Sequence, residues 1–181
     1  MTIHEFGTEY ERQREEADRF RKWYEHTIGP IKQANRNEDL GGIDYWGDVL
    51  PVRTAIQLKI DFKSDDTNNL FVEWKIEGGG DYPRTVRPGW AQMLHAEEYW
   101  FVRPRHQEAI CIGKTPLMAW ANSAHTNRKP LFGPVYNQNP DTGEKWEAWG
   151  YLLPVKLAIT MGTLHRPGTH PEAVPPAAGA S

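Results

Sequence analysis

From Ala55 to Asp61 the chain reads Ala-Ile-Gln-Leu-Lys-Ile-Asp, apolar and polar residues in strict alternation. That period puts Ile56, Leu58 and Ile60 on one side of a strand and Gln57, Lys59 and Asp61 on the other. Side chains two residues apart on one face stand only about 6–7 Å from each other. A polar triplet held that closely either faces water or performs chemistry. The surrounding sequence extends the pattern. Gly41-Gly42-Ile43-Asp44 leads into a first strand at about 42–50, and the alternating run makes a second at 52–62. After the turn-rich Lys63-Ser-Asp-Asp-Thr-Asn-Asn69, Leu70, Val72, Trp74 and Ile76 alternate with Phe71, Glu73, Lys75 and Glu77 in a third strand at 69–77. A turn of that composition predicts that the second and third strands are antiparallel neighbours, with Gln57 and Lys59 on one face.

Residues 5–28 have the pattern of an amphipathic helix. Tyr10, Ala17, Phe20, Tyr24 and Ile28 fall at helical spacing, charged residues fill the other face, and Gly29-Pro30 ends it. Residues 31–40 read as a polar connector and 81–88 as a loop. A short helical or turn segment runs from Pro88-Gly89-Trp90 to His95, followed by strands at 98–103 and 107–113. Thr115-Pro116 reads as a helix start leading into Leu117, Met118, Trp120 and Ala121. A polar excursion over 123–147, with Pro-Asp-Thr-Gly at 140–143, suggests a hairpin or a mobile loop, and Tyr151 to Ile159 returns to the core. The expectation is one domain over 1–163 and a disordered tail over 164–181, which from Arg166 onward is Pro, Ala and Gly without periodicity.

At 181 residues the chain is long enough for one packed core, and its eight Trp supply large apolar side chains for it. Its net charge of −3 neither marks nor excludes a nucleic-acid binder, since the local field at a site outweighs the total. The single cysteine, Cys111, excludes an internal disulfide and a cysteine-rich zinc site. No apolar run reaches membrane-spanning length and no signal peptide is visible, so a cytoplasmic protein with no membrane partner is expected, in a host cytoplasm if phage-encoded.

Asp44 behind a glycine pair, then Gln57-x-Lys59 on the next strand, then Glu73 on a third, resembles the PD-(D/E)XK nuclease superfamily. The similarity is to its QxK form, as in Mrr-type restriction endonucleases, Holliday-resolvase-like proteins and small phage-type members. Residues 41–77 carry the resemblance, and Gly89-Trp90 and Ala96-Glu97-Glu98-Tyr99-Trp100 extend it weakly. It implies an α/β fold, restriction-endonuclease-like, with a mixed β-sheet flanked by α-helices. It also implies Mg²⁺- or Mn²⁺-dependent hydrolysis of DNA, with Asp44, Gln57 and Lys59 catalytic and the metal held by Asp44, Gln57, the Leu58 carbonyl and Glu73. DNA is the implied partner, and a homodimer is open because many single-domain nucleases pair to cut both strands. Hard oxygen ligands suit these ions, and a cation beside the attacking water suits the chemistry.

Alternatives stand beside each assignment. Asp48, also preceded by glycine, rivals Asp44. Glu16 of the first helix is either a carboxylate near the metal site or a solvated charge. Asp48, Asp61 or Glu73 would have to replace the charge that Gln57 lacks. Arg84, Arg87, Arg103, Arg105, Arg128 and Lys129 are either a phosphate-contacting rim or scattered surface cations. His95, His106 and His125 lack metal-ligand spacing. Taken together, Gln57, Lys59 and Asp61 are either an active site or an ordinary solvated sheet face. A catalytically degenerate protein of the same fold, binding nucleic acid or a partner protein, is the competing function.

Overall fold

A computed structural model describes residues 3–40, 42–49, 51–78, 86–93, 95–138 and 143–166. The chain opens with α1 (Ile3–Thr27), β1 (Ile31–Gln33), α2 (Arg36–Leu40), β2 (Tyr45–Val49) and β3 (Val52–Ile60). Then come α3 (Ser64–Thr67), β4 (Asn69–Gly78), β5 (Val86–Pro88), α4 (Trp90–Met93) and β6 (Glu98–Arg103). A 3-10 turn (Pro104–His106), β7 (Glu108–Gly113), α5 (Lys114–Thr126), β8 (Phe132–Gln138), β9 (Lys145–Pro154), α6 (Val155–Met161) and β10 (Thr163–His165) complete it.

The fold is mixed α/β. Six strands in the order β1-β2-β3-β6-β7-β10 form one sheet, antiparallel throughout except where β3 runs parallel to β6. Four antiparallel strands, β5-β4-β9-β8, form a second. One face of the six-stranded sheet lies under α1, whose Phe20, Trp23 and Tyr24 all meet Trp100 at ring-centroid distances of 5.4–5.8 Å. Ile31, Tyr45, Ile56 and Val102 fill in around them. The opposite face, carrying Ala55, Tyr99, Phe101, Ile110 and Ile112, packs against α4, α5, α6 and the second sheet through Trp90, Leu117, Ala158, Leu70, Val72 and Leu153. The alternation read over 55–61 is therefore real, but both of its sides are covered.

The expected pairing of 52–62 with 69–77 does not occur. The neighbour of β3 on that side is β6, with Gln57 opposite Tyr99 and Lys59 opposite Phe101, while β4 pairs with β5 and β9 in the other sheet. The physical reason lies in the two strands. Tyr99, Trp100, Phe101 and Val102 are all buried, and such a continuous apolar run suits a central strand covered on both faces. The β4 segment is apolar on one face only. Asp61 turns the chain away at that point: its Oδ1 accepts the N–H groups of Lys63 and Ser64, and its Oδ2 that of Phe71. Asp61 is thus a turn cap, occupied by backbone, and not a compensating ligand.

Smaller differences have local causes. The connector at 31–40 contains β1 and α2, and α5 starts at Lys114 after Gly113, with no side-chain cap from Thr115. Pro116 is tolerated in its first turn, where N–H groups lack helical partners. His125 lies on this helix, not in a loop, stacked on Trp74 at 4.7 Å with Nδ1 3.0 Å from the Tyr151 hydroxyl. Two residues beyond 163 still belong to the sheet, because β10 pairs with β7. The remainder of the expected tail, 167–181, lies outside the described residues, as do Arg84 and the hairpin tip at 139–142. Among the described residues no helix is long and apolar enough to cross a membrane.

Gly150 sits opposite both Glu73 and Phe132 in the middle of the second sheet. A Cβ there would come 2.3 Å from the Val72 carbonyl oxygen. Backbone cannot yield as a flexible side chain would, so Gly150→Ala should destabilise by about 3 kcal/mol. The melting temperature should fall by roughly 6–12 °C, checked by thermal denaturation. An unchanged midpoint would contradict this packing.

Candidate active site

Asp44 stands one residue before β2, and its N–H donates to the carbonyl of Ile56, the residue with which Tyr45 is paired, at 2.9 Å. Its side chain reaches along β3, where Lys59 acts on it. Its Oδ2 accepts the Leu58 N–H at 2.5 Å. Lys59, two residues on from Gln57, shares the face of Gln57. Its ammonium lies 5.4 Å from the centroid of the Trp90 ring, which itself stacks on Tyr99.

Glu73 reaches the same place from the second sheet. Strict alternation would aim it with Phe71, away from Leu70 and Val72. The pairing with β9 is broken by a bulge between Glu73 and Lys75, and bulges re-aim side chains. Its Oε1 accepts the Trp90 N–H at 3.3 Å. Gly89 lets the backbone pass, since a Cβ there would meet the Glu73 carbonyl oxygen at 2.6 Å. The expectation that Glu73 comes near Lys59 is met by a different route: across sheets, not along a shared ladder.

The electrostatics tie these groups together. Burial pushes the Asp44 carboxyl above the usual aspartate range, opposed by Lys59 and by the Leu58 N–H, with Asp39 adding to the push. Burial likewise raises Glu73, against Lys59, the Trp90 N–H and Arg87. Lys59 is therefore the ammonium common to both carboxylates.

The other candidates are distributed differently. Asp48 lies opposite Arg53, 3.7 Å from its Nε and largely exposed. It is four residues along from Asp44, or about 13 Å, and so does not join the site. Glu16 is on α1, across the sheet, and pairs with Arg19 at 2.8 Å. Arg103 is 3% exposed and bonded to Glu108, the Ser64 carbonyl and Asn68. It is a buried tie between α3 and the sheet, not a rim cation. Arg105 pairs with Asp66 at 2.6 Å. Of the proposed rim cations, Arg87 acts on Glu73 and so stands near the site. Asp39 was missed by sequence reasoning, and Trp90 was named there only beside Gly89, with no role at the site. Asp39 sat unmarked in a polar connector, and nothing local announces that Trp90 will lie beneath Lys59.

Among the described residues no group of three His, Cys, Asp or Glu side chains is close enough to hold a metal ion. The donors that do converge are carboxylate and amide oxygens. Gln57 is only 5% exposed, and its amide is not among the buried side-chain atoms left without a hydrogen-bond partner. Its nitrogen lies 3.6 Å from the position a Cβ would take on Gly42. Hard oxygens beside a hydrogen-bonded carboxylate fit a hard divalent ion. Comparison with protein-family models, with curated proteins and with solved structures found no match to the chain.

The raised carboxyls carry a pH signature. Each binds a proton more readily in the folded chain than in the unfolded one. Stability is therefore greatest below the ordinary values of 3.8 and 4.5 and is lost as pH rises through the raised folded values. Asp44→Asn and Glu73→Gln keep the acceptor oxygen and remove the charge. Each should melt a few degrees above wild type at about pH 7.5, with the gain vanishing near about pH 3.5. A melting series across that range checks the sign.

Proposed function

We propose that the protein is a divalent-metal-dependent nuclease that hydrolyses DNA phosphodiester bonds, of the PD-(D/E)XK kind in its QxK form. The observation carrying this reading is the shared face of Gln57 and Lys59, with Lys59 acting on the carboxylates of both Asp44 and Glu73. An ordinary solvated sheet face is not built this way, because its polar groups would meet water and not a second sheet.

Each side chain has a job in such a reaction. The Leu58 N–H fixes one Asp44 oxygen, leaving the other for a ligand. Gln57 lies on the same strand face as Lys59, and Trp90 fixes Glu73 through its backbone while its ring flanks the Lys59 ammonium. Asp44, Gln57, Glu73 and the Leu58 carbonyl would hold Mg²⁺ or Mn²⁺, which when bound neutralises phosphate charge and acidifies water. Lys59, kept near the carboxylates but free of a short ion pair to either, stabilises the charge that develops on the phosphoryl oxygens. Arg87 is placed to meet a neighbouring phosphate at the mouth.

Cleavage of linear, nicked, branched and single-stranded DNA with Mn²⁺ tests the reading. Lys59→Ala and Asp44→Asn should each lower the rate by about 100-fold or more, while Asp44→Asn retains DNA binding because an anion facing phosphate is gone. Gln57→Glu restores the commoner motif and should tighten Mn²⁺ binding. DNA binding without cleavage by wild type would favour the degenerate, non-catalytic alternative. Cleavage that survives Lys59→Ala would place the chemistry elsewhere.

A further inference from the structure

We infer that the C-terminal end of α5 takes an unpaired DNA strand, with His125 stacking on a base and Arg128 and Lys129 meeting its phosphates. The substrate is then single-stranded DNA. This names the substrate class of the nuclease site above and rests on that reading.

The bulge that re-aims Glu73 also places the platform. Between Glu73, opposite Gly150, and Lys75, opposite Trp149, Trp74 is the extra residue, with no pairing partner on β9. Its carbonyl accepts the Gly89 N–H at 2.7 Å and the side-chain amide of Gln92, which ties it to the turn that carries Trp90. Its ring meets Tyr151 at 5.6 Å. His125 lies nearly flat on it, with ring centroids 4.7 Å apart and 26° between the planes. The imidazole is held against rotation, because its Nδ1 lies 3.0 Å from the hydroxyl of the buried Tyr151. His125 is nevertheless exposed. A planar ring is thus fixed at the surface on the residue that follows Glu73. A side chain that merely covered Trp74 would be apolar and would need no fixed plane. What a fixed, exposed ring offers is a face for another ring, and a nucleobase presents its face only when it is out of a duplex. The freedom of this platform is lost on folding and not on binding, which favours the complex.

The residues that follow fit the same strand. At the end of α5 the Arg128 N–H donates to the His125 carbonyl at 2.9 Å and the Lys129 N–H to the Ala124 carbonyl at 3.0 Å. These two bonds make a Schellman closure and put Arg128 in its left-handed position, at φ +52°, where glycine is the usual occupant and a Cβ is strained. The helix dipole favours a cation near this end, but it does not call for one at the strained position. Strain of this kind collects at functional sites. Arg128 and Lys129 are both exposed, and the closure fixes their backbone to that of His125 and its neighbour. An aromatic face beside cations is the combination with which proteins hold a single strand. Duplex DNA would meet the cations and leave the ring unused.

Fluorescence anisotropy tests this on the full chain in EDTA, so that nothing is cut, with labelled oligo(dT) of about 12 nucleotides and a hairpin duplex of similar size. Wild type should bind oligo(dT) more tightly than the duplex. His125→Ala should weaken oligo(dT) binding by about 5- to 100-fold and leave duplex binding unchanged, while His125→Phe, which keeps a planar ring, should stay within about threefold of wild type. Arg128→Gly should weaken oligo(dT) binding and lower the slope of log affinity against log salt by about 0.7. It should melt no lower than wild type, because the strain is gone. An unchanged oligo(dT) affinity in His125→Ala, or a loss in His125→Phe as large as in His125→Ala, overturns the stacking. Equal binding of both DNAs by wild type, or equal cleavage of both with Mn²⁺, overturns the single-strand assignment and leaves the nuclease reading standing. Selective binding of oligo(dT) that depends on His125, with no cleavage of any DNA by wild type, supports the strand contact and overturns the nuclease reading instead.

Discussion

Taking a carboxylate out of water costs several kcal/mol unless a partner compensates. Here two are taken out, Asp44 at the start of the β2–β3 hairpin and Glu73 on the second sheet, and Lys59 acts on both. Neither acid is fully compensated, since burial still raises both. That residual imbalance constrains what surrounds them. Backbone donors at Leu58 and Trp90 must be aimed at the acids, and the Trp90 ring must flank the lysine. A merely structural cluster would be more economically built from apolar residues. Buried acids whose neighbours offset desolvation only in part belong to the environments in which pKa shifts cluster.

The scaffold around this cluster is made to hold still. Trp100 is gripped on one face by three aromatic rings from α1, and Tyr99 and Phe101 on the other face carry Trp90. Each aromatic pair adds about 0.5–1.5 kcal/mol beyond the area it buries. At the far end of the same strand, Arg103 ties α3 to the sheet through Ser64, Asn68 and Glu108. One strand thus anchors both layers, and the groups of the site hang from rigid elements on either side of it, a condition for holding catalytic geometry.

Much of this was legible in the chain. Alternation over 55–61 placed Gln57 and Lys59 together, because side-chain direction along a strand follows from backbone geometry alone. The buried stripe of α1 and the strands at 98–103 and 107–113 were readable for the same reason. The capping signals of α2, Asn35 with Glu38 and then Gly42, were also present as local chemistry, although residues 31–40 read as a connector when judged by hydrophobic periodicity, which a five-residue helix is too short to display.

What the sequence by itself determined, then, is the secondary structure wherever a period or a cap is local, and the shared face of Gln57 and Lys59 on one strand. Tertiary structure decided which strand lies beside β3. That choice compared segments some forty residues apart, and it went to β6 because its run of Tyr99 to Val102 can be buried on both faces, as β4 cannot. From it followed the arrival of Glu73 from another sheet, the position of Trp90 beneath Lys59, and the removal of Arg103 from the surface. None of these is written in any local pattern, since each depends on which buried surfaces compete for the same place.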